Sequence, residues 1–311
     1  MSTTFLVTGG AGFIGSAIAR ALVKRGDRVR ILDDFSSGKR ENLADIAGAV
    51  EVIEGSILDE RALSQAIDGV KVVFHEAAIP SVPKSMAEPI ENHEANATGT
   101  LKVLHAAKRA GVERLVYAAS SAAYGSDPRL PKVETMSTGP ISPYGASKLA
   151  GEIYCQVYAE AYGLPTVCLR YFNVFGPRQD PQSEYAAVIP KFITRALAGG
   201  TPVIFGDGTQ SRDFCFIDNV VEANLKAAAA PASATGRVYN IACGVATTLD
   251  EVVKVIGTIL GRPIQPKHDP ERAGDIKHSV ADISAARAEL GYTAAVSFEE
   301  GMRRTVDWYR K

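Results

Sequence analysis

The run Phe5-Leu6-Val7-Thr8-Gly9-Gly10-Ala11-Gly12-Phe13-Ile14-Gly15 decides the fold. Its first four residues, apolar or β-branched, read as a short strand. The glycines that follow read as a turn, and Ser16 to Lys24 as an amphipathic helix. Gly9, Gly12 and Gly15 would allow a tight turn, a close approach of backbone to a pyrophosphate, and close packing of helix on strand. The helix N-terminus, with Phe13 and Ile14 in its path, would face the phosphates with its unpaired N–H groups. The spacing is GxxGxxG rather than GxGxxG, and glycine turns also serve plain packing, so the context carries the argument. A second strand, Arg28 to Leu32, ends in Asp33-Asp34, about 20 residues past the turn, where an acid binds the adenosine ribose hydroxyls and repels a 2′-phosphate. That combination points to a dinucleotide, and to NAD over NADP.

Outward from this unit the βα alternation continues. Val50 to Gly55 reads as a strand, Arg61 to Ile67 as a helix, and Val70 to Phe74 as a strand running into His75-Glu76-Ala77-Ala78. His75-Glu76 is not a zinc motif, because the second His of HExxH would fall at Ile79. Asn92 to Ala110 reads as a long helix, and Arg114 to Ala119 as a strand delivering Ser120 and Ser121 to the sheet edge where ligands bind. Two serines after a strand also make an ordinary turn or N-cap. Tyr144 to Gly163 is helical and Thr166 to Tyr171 a strand. Beyond this the alternation loosens: helices are expected at Tyr185 to Leu197, Asp218 to Ala229 and Leu249 to Gly261. Strands are expected at Thr201 to Phe205, Arg212 to Ile217 and Val238 to Ile241. The pattern predicts an α/β chain with a Rossmann-type doubly wound parallel sheet. Residues 1–172 form the cofactor domain, with later segments crossing back, and 173–311 mainly a smaller lobe.

Tyr144 and Lys148 in Ser142-Pro143-Tyr144-Gly145-Ala146-Ser147-Lys148 lie four apart on one helix face. An ammonium near a phenol favours the phenolate, and a second cation such as an oxidised nicotinamide would add to it. The product is a general base for a hydroxyl proton near neutral pH. YxxxK alone is common by chance; the Ser pair and the glycine turn give it meaning here.

Composition narrows the class. The 311 residues are 46% hydrophobic and 22% charged with a formal net charge of −1. Such a balance lacks the basic stripe of a nucleic-acid protein. No apolar run reaches the roughly 18–20 residues of a membrane span, and the N-terminus shows no secretory leader. Cys155, Cys168, Cys215 and Cys243 form no CxxC pair, which fits reduced thiols in a cytoplasmic protein and no metal site.

Gly9-x-x-Gly12-x-x-Gly15, Asp33, the Ser120/Tyr144/Lys148 set and Leu169-Arg170-Tyr171-Phe172-Asn173-Val174-Phe175-Gly176-Pro177 together resemble an extended short-chain dehydrogenase/reductase. Within that family the chain is most similar to the UDP-hexose 4-epimerases, over nearly its whole length. The resemblance implies a tightly held NAD, a nucleotide-sugar lobe, and a homodimer formed through helices matching Asn92–Ala110 and Tyr144–Gly163. It implies that Tyr144 takes the sugar 4-hydroxyl proton, Ser120 hydrogen-bonds that oxygen, and Lys148 holds the nicotinamide ribose. The two positions after the catalytic Ser/Thr are Asp-Glu in the 4,6-dehydratases, and the second is Glu in UDP-glucuronate decarboxylases. Here they are Ser121 and Ala122, without the carboxylates elimination needs.

The resemblance assigns binding residues position by position. Asn173 would contact the diphosphate, and Arg212 and Arg272 would clamp the phosphates, where a guanidinium takes two oxygens at once. Asp275 would bind the nucleotide ribose, and Val188, Val203 and Phe205 would line the uracil pocket. On the cofactor side Lys84, Asn96, Ala77, Ala78 and Ile57 match NAD contacts. Ser56 departs from the usual Asp beside the adenine. Ser279 stands where a bulky Tyr closes the pocket of epimerases restricted to glucose and galactose, which implies room for an N-acetyl group. The activity implied is interconversion of UDP-Glc with UDP-Gal and of UDP-GlcNAc with UDP-GalNAc. Alternatives are a UDP-glucuronate or other nucleotide-sugar 4-epimerase, or a non-catalytic NAD-binding sensor.

Overall fold

Seven parallel strands frame the molecule, which a computed structural model describes over residues 3–181, 188–271 and 276–311. In the first half β1 (Thr4–Thr8), β2 (Arg28–Asp33), β3 (Val50–Glu54), β4 (Val72–His75), β5 (Arg114–Ser120) and β6 (Thr166–Tyr171) alternate with helices. These are α1 (Phe13–Arg25), α2 (Glu60–Ile67), α3 (Val82–Ala87), α4 (Pro89–His93), α5 (Gly99–Arg109) and α6 (Pro143–Tyr162). The second half holds β7 (Asn173–Phe175), α7 (Val188–Leu197), β8 (Val203–Phe205), β9 (Ser211–Arg212), β10 (Phe214–Phe216) and α8 (Ile217–Ala228). It ends with β11 (Arg237–Ile241), β12 (Thr247–Thr248), α9 (Leu249–Leu260), β13 (Lys267–Asp269) and α10 (Phe298–Tyr309).

The central sheet has the order β11-β6-β5-β4-β1-β2-β3. Side-chain alternation gives it two apolar faces. Leu6, Leu32, Val73 and Leu115 pack with Leu63 of α2 and Leu104 of α5. Val7, Ile31, Phe74 and Val116 pack with Ile18 of α1 and Val220 of α8. The strand order reverses between β1 and β4, which opens a crevice at the carboxyl edge, where doubly wound sheets bind ligands. From the later part of the chain, β11 pairs with β6 and α8 packs beside α1. Small strand pairs β7–β10, β8–β13 and β9–β12 build the lobe over that edge.

Several elements differ from the sequence expectation. The long helix starts earlier, at Pro89, and passes through a π-helical turn at Glu94–Thr98. The expected strand from Arg212 to Ile217 is broken at Asp213. Its carboxylate turns inward to accept the backbone N–H groups of Cys243 (2.8 Å) and Gly244 (2.9 Å), so β9 and β10 take different partners. Two helices had no forecast. α3 is nucleated by Ser81, which accepts from Lys84 N, and α10 by Ser297, which accepts from Glu300 N. Among the described residues no helix is long and apolar enough to cross a membrane.

Candidate active site

The glycine turn is built for an anion. Gly12 caps α1 without a side-chain acceptor, and no acid sits in the first turn, so the helix's positive end is left open. Gly9 has φ +66, and a Cβ there would lie 2.7 Å from the Ala77 backbone; at Gly15 a Cβ would collide with the Gly9 carbonyl. These positions demand glycine on steric grounds. Asp33, buried at the end of β2, accepts from Ala11 N and Phe35 N, both at 2.8 Å. Burial raises its pKa and those two bonds lower it again. Each carboxylate oxygen keeps a second lone pair for a ribose hydroxyl. The donor and acceptor set therefore fits an NAD whose pyrophosphate lies on the α1 N-terminus.

Other expected cofactor residues surround the crevice in different ways. Ala77 and Ala78 lie just past β4, opposite Gly9, and Ile57 is buried against Gly99. Asn96, in the π-helical turn, accepts from Ile79 N (2.8 Å) and donates to Ile79 O and Ser147 Oγ (both 3.2 Å). It therefore shapes the loop after β4 from behind. Lys84 pairs with Glu91 at 2.9 Å between exposed side chains.

The carboxyl ends of β4, β5 and β6 meet the start of α6. Ser142 caps α6 by accepting from Gly145 N, and Pro143 occupies its first turn, so Tyr144 stands at the helix mouth. Ser120, at the tip of β5, accepts from Ala122 N at 3.2 Å, with Ser121 next to it. Lys148 is buried; its Nζ donates to Ala118 O at 2.9 Å and lies 5.2 Å from the Tyr117 ring centroid. Burial draws the ammonium down to about 8, with Glu76 and Cys155 opposing. The protein's own groups raise Tyr144, through burial and the Glu76 charge, while the Ser120 hydroxyl pulls it down. Lys148 donates to the Ala118 carbonyl, and an oxidised nicotinamide would add the second cation that favours a Tyr144 phenolate.

Glu76 is a residue that sequence reasoning passed over. Its Oε1 accepts from the Tyr171 hydroxyl at 2.9 Å, and Asn224 Nδ2 donates to that hydroxyl at 2.7 Å. Neighbouring His75 is fully buried between Thr8 Oγ1 (2.7 Å) and Thr100 Oγ1 (2.9 Å); burial drives its pKa down to about 3, so it is neutral and structural.

Beyond this edge lies a cavity of about 220 Å³ in the lobe. Asn173, Val188, Val203, Phe205 and Arg212, dispersed in sequence, all line it. Phe192 and Gln210 complete the wall. Gln210 donates to Phe205 O at 2.5 Å, while its buried Oε1 has no partner; in sequence it reads as one more turn residue. Arg212 Nη1 donates to Ser211 O (2.9 Å) and Lys277 O (3.2 Å). Ser279 N donates to Ser211 O at 3.1 Å, which sets Ser279 beside that arginine. Arg272 and Asp275 lie outside the described residues.

Residues 5–242 match the NAD dependent epimerase/dehydratase family. The chain belongs to that family. A UDP-glucose 4-epimerase from Mycolicibacterium smegmatis is 39% identical over 98% of both chains. Among solved structures, a UDP-N-acetylglucosamine 4-epimerase from Methanobrevibacter ruminantium in complex with UDP-N-acetylmuramic acid is 42% identical, covering 99% of this chain and 98% of its own, with a TM-score of 0.94. A UDP-glucose 4-epimerase from Thermotoga maritima with UDP-glucose is 38% identical over 99% of both, TM-score 0.94. Such epimerase/dehydratase relatives share the whole architecture, lobe included.

Proposed function

We propose that this member of the family is an NAD-dependent nucleotide-sugar 4-epimerase acting on UDP-glucose/UDP-galactose and on UDP-GlcNAc/UDP-GalNAc. The observation that carries the reading is the meeting of Ser120, Tyr144 and Lys148 at the sheet's carboxyl edge, between the glycine turn and the lobe cavity. Bound NAD supplies a reversible hydride acceptor. Tyr144, as phenolate, takes the sugar 4-hydroxyl proton and later returns it. Ser120 donates to the same oxygen, and Lys148 holds the nicotinamide ribose. The lobe anchors the nucleotide: the apolar wall of Val188, Val203 and Phe205 takes the base, and Asn173, Arg212 and Arg272 take the diphosphate, with Asp275 on the ribose. The sugar stays loosely held and can turn over between the two halves of the reaction, so that Tyr144 returns the proton to O4 of the inverted sugar. Ser121 and Ala122 bring no carboxylate, in keeping with epimerisation rather than elimination.

Ser279, small and beside Arg212, leaves space for an N-acetyl group. The enzyme works as a homodimer, and its four free cysteines suit the cytoplasm. Purified protein incubated with UDP-GlcNAc, and separately with UDP-Glc, tests the reading when C4 inversion is followed by proton NMR without added NAD. Inversion of both is expected. Inversion of neither, even after NAD is added, overturns it.

A further inference from the structure

Glu76 projects from the end of β4, on the β1/β4 border where the strand order reverses. Its backbone N–H donates to Thr8 O at 3.2 Å, which fixes the residue against the glycine-turn side of the crevice. Its carboxylate is oriented by a directed chain: Asn224 of α8 donates to Tyr171 of β6, and Tyr171 donates to Glu76. Both donors point toward the carboxylate, an arrangement that favours its charged form. Three elements brought together only by the fold thus hold one partly buried carboxyl group, ionised above about pH 7, within electrostatic reach of Tyr144 and Lys148.

The geometry points to Glu76 as a positioning residue for the reaction centre: its anchored carboxylate balances the charge of Lys148 and of oxidised nicotinamide, and so restrains the bound cofactor from over-reduction. This rests on the epimerase reading. An enzyme that must hand hydride back at every turnover gains from a resting state in which the cofactor stays oxidised. A fixed negative charge favours the cationic, oxidised ring over the neutral, reduced one.

The titratable groups facing Glu76 are few. Tyr171 and Lys148 both draw its carboxyl down against burial, which lifts it to about 7. Glu76 in turn raises Tyr144 and supports the charge on Lys148. His75, on the same strand, is occupied by Thr8 and Thr100 and stays neutral. Cys215 lies within electrostatic reach of Tyr171.

The test is Glu76→Gln in the NAD-loaded protein, which keeps an oxygen for Tyr171 and removes the charge. Cyanoborohydride is offered as the hydride donor above pH 7, where the parent Glu76 carboxyl is ionised, and the rate at which bound NAD gains reduced-form absorbance is recorded without any sugar. A single charge several ångströms away at an effective dielectric of about 20 predicts a rate raised about ten-fold or more. Both limbs of the turnover–pH profile should also move down by about one unit, because losing the anion lowers Tyr144 and Lys148 alike. A parent-like reduction rate overturns the proposal, whatever happens to turnover; faster reduction in Glu76→Gln beside a parent protein that epimerises no sugar instead counts against the epimerase reading alone. Should Glu76→Gln not fold, Tyr171→Phe serves. Without its donor the carboxyl protonates more readily, so fast reduction at low pH must relax to the parent rate as pH rises. A parent-like rate at all pH values overturns the assignment.

Discussion

At the scale of single residues, the ammonium of Lys148 sets an upper bound on the working pH. Its pKa is drawn down to about 8 by burial. The protonated form is the useful one, present below that value and lost as pH rises through it. Turnover is therefore expected to fall above about pH 8, and a pH profile of kcat checks it. Ser279 bears on substrate width: Ser279→Tyr should abolish turnover of UDP-GlcNAc while leaving UDP-Glc within a few-fold of the parent; equal loss of both would remove the gate argument. The proposed Ser120/Tyr144/Lys148 set could be picked out because a fixed helical spacing and a strand-end position are local patterns. Glu76 and Gln210 could not. Glu76 owes its proposed role to Tyr171, 95 residues away, and Gln210 to the walls of a cavity assembled from six separate elements and a loop. Nothing in their own neighbourhoods signals either.

At the scale of elements, α6 carries both Tyr144 and Lys148 of the proposed mechanism, and its seating determines where they point. Glu152, one turn past Lys148 on the same face, forms a buried two-bond ion pair with Arg170 of β6 at 2.9 and 2.5 Å, and Arg170 also lies over the Tyr124 ring. Gly151 sits against Tyr117 of β5, where an added Cβ would collide with the Tyr117 hydroxyl, itself bonded to Lys148 O at 3.2 Å. Gly151→Ala should then lower stability by about 1–3 kcal/mol despite the better helix propensity, with a loss of kcat as α6 shifts; a chemical denaturation curve beside steady-state rates reads both. The helices and strands of the first half were legible because each buries a continuous stripe or run. The lobe was less so. Its strands are two or three residues long, too short for a period to show, and Asp213 breaks one of them through bonds to loops far along the chain.

At the scale of the whole molecule, one face remains apolar and uncovered. α3, α4 and α6 pack together, and they present Met86, Ile90, Ile153, Tyr154 and Val157 to solvent, Ile90 at 71% exposure. Exposed apolar side chains on adjoining helices would suit the interface of the proposed homodimer. Ile90→Glu with Val157→Glu should convert a dimer to a monomer in light scattering after size exclusion; an unchanged mass would place the interface elsewhere. The doubly wound plan was legible from the alternation of strands and helices, while β11 joining the sheet after a long excursion depends on pairing with β6, which no local pattern encodes. The central claim is that C4 is oxidised and reduced within one active site. It is tested most directly with UDP-GlcNAc bearing deuterium at C4, incubated with the purified enzyme in ordinary water. The account predicts an inverted product that keeps its deuterium at C4, because the same hydride leaves and returns. Replacement of the deuterium by solvent hydrogen in the inverted product would contradict it.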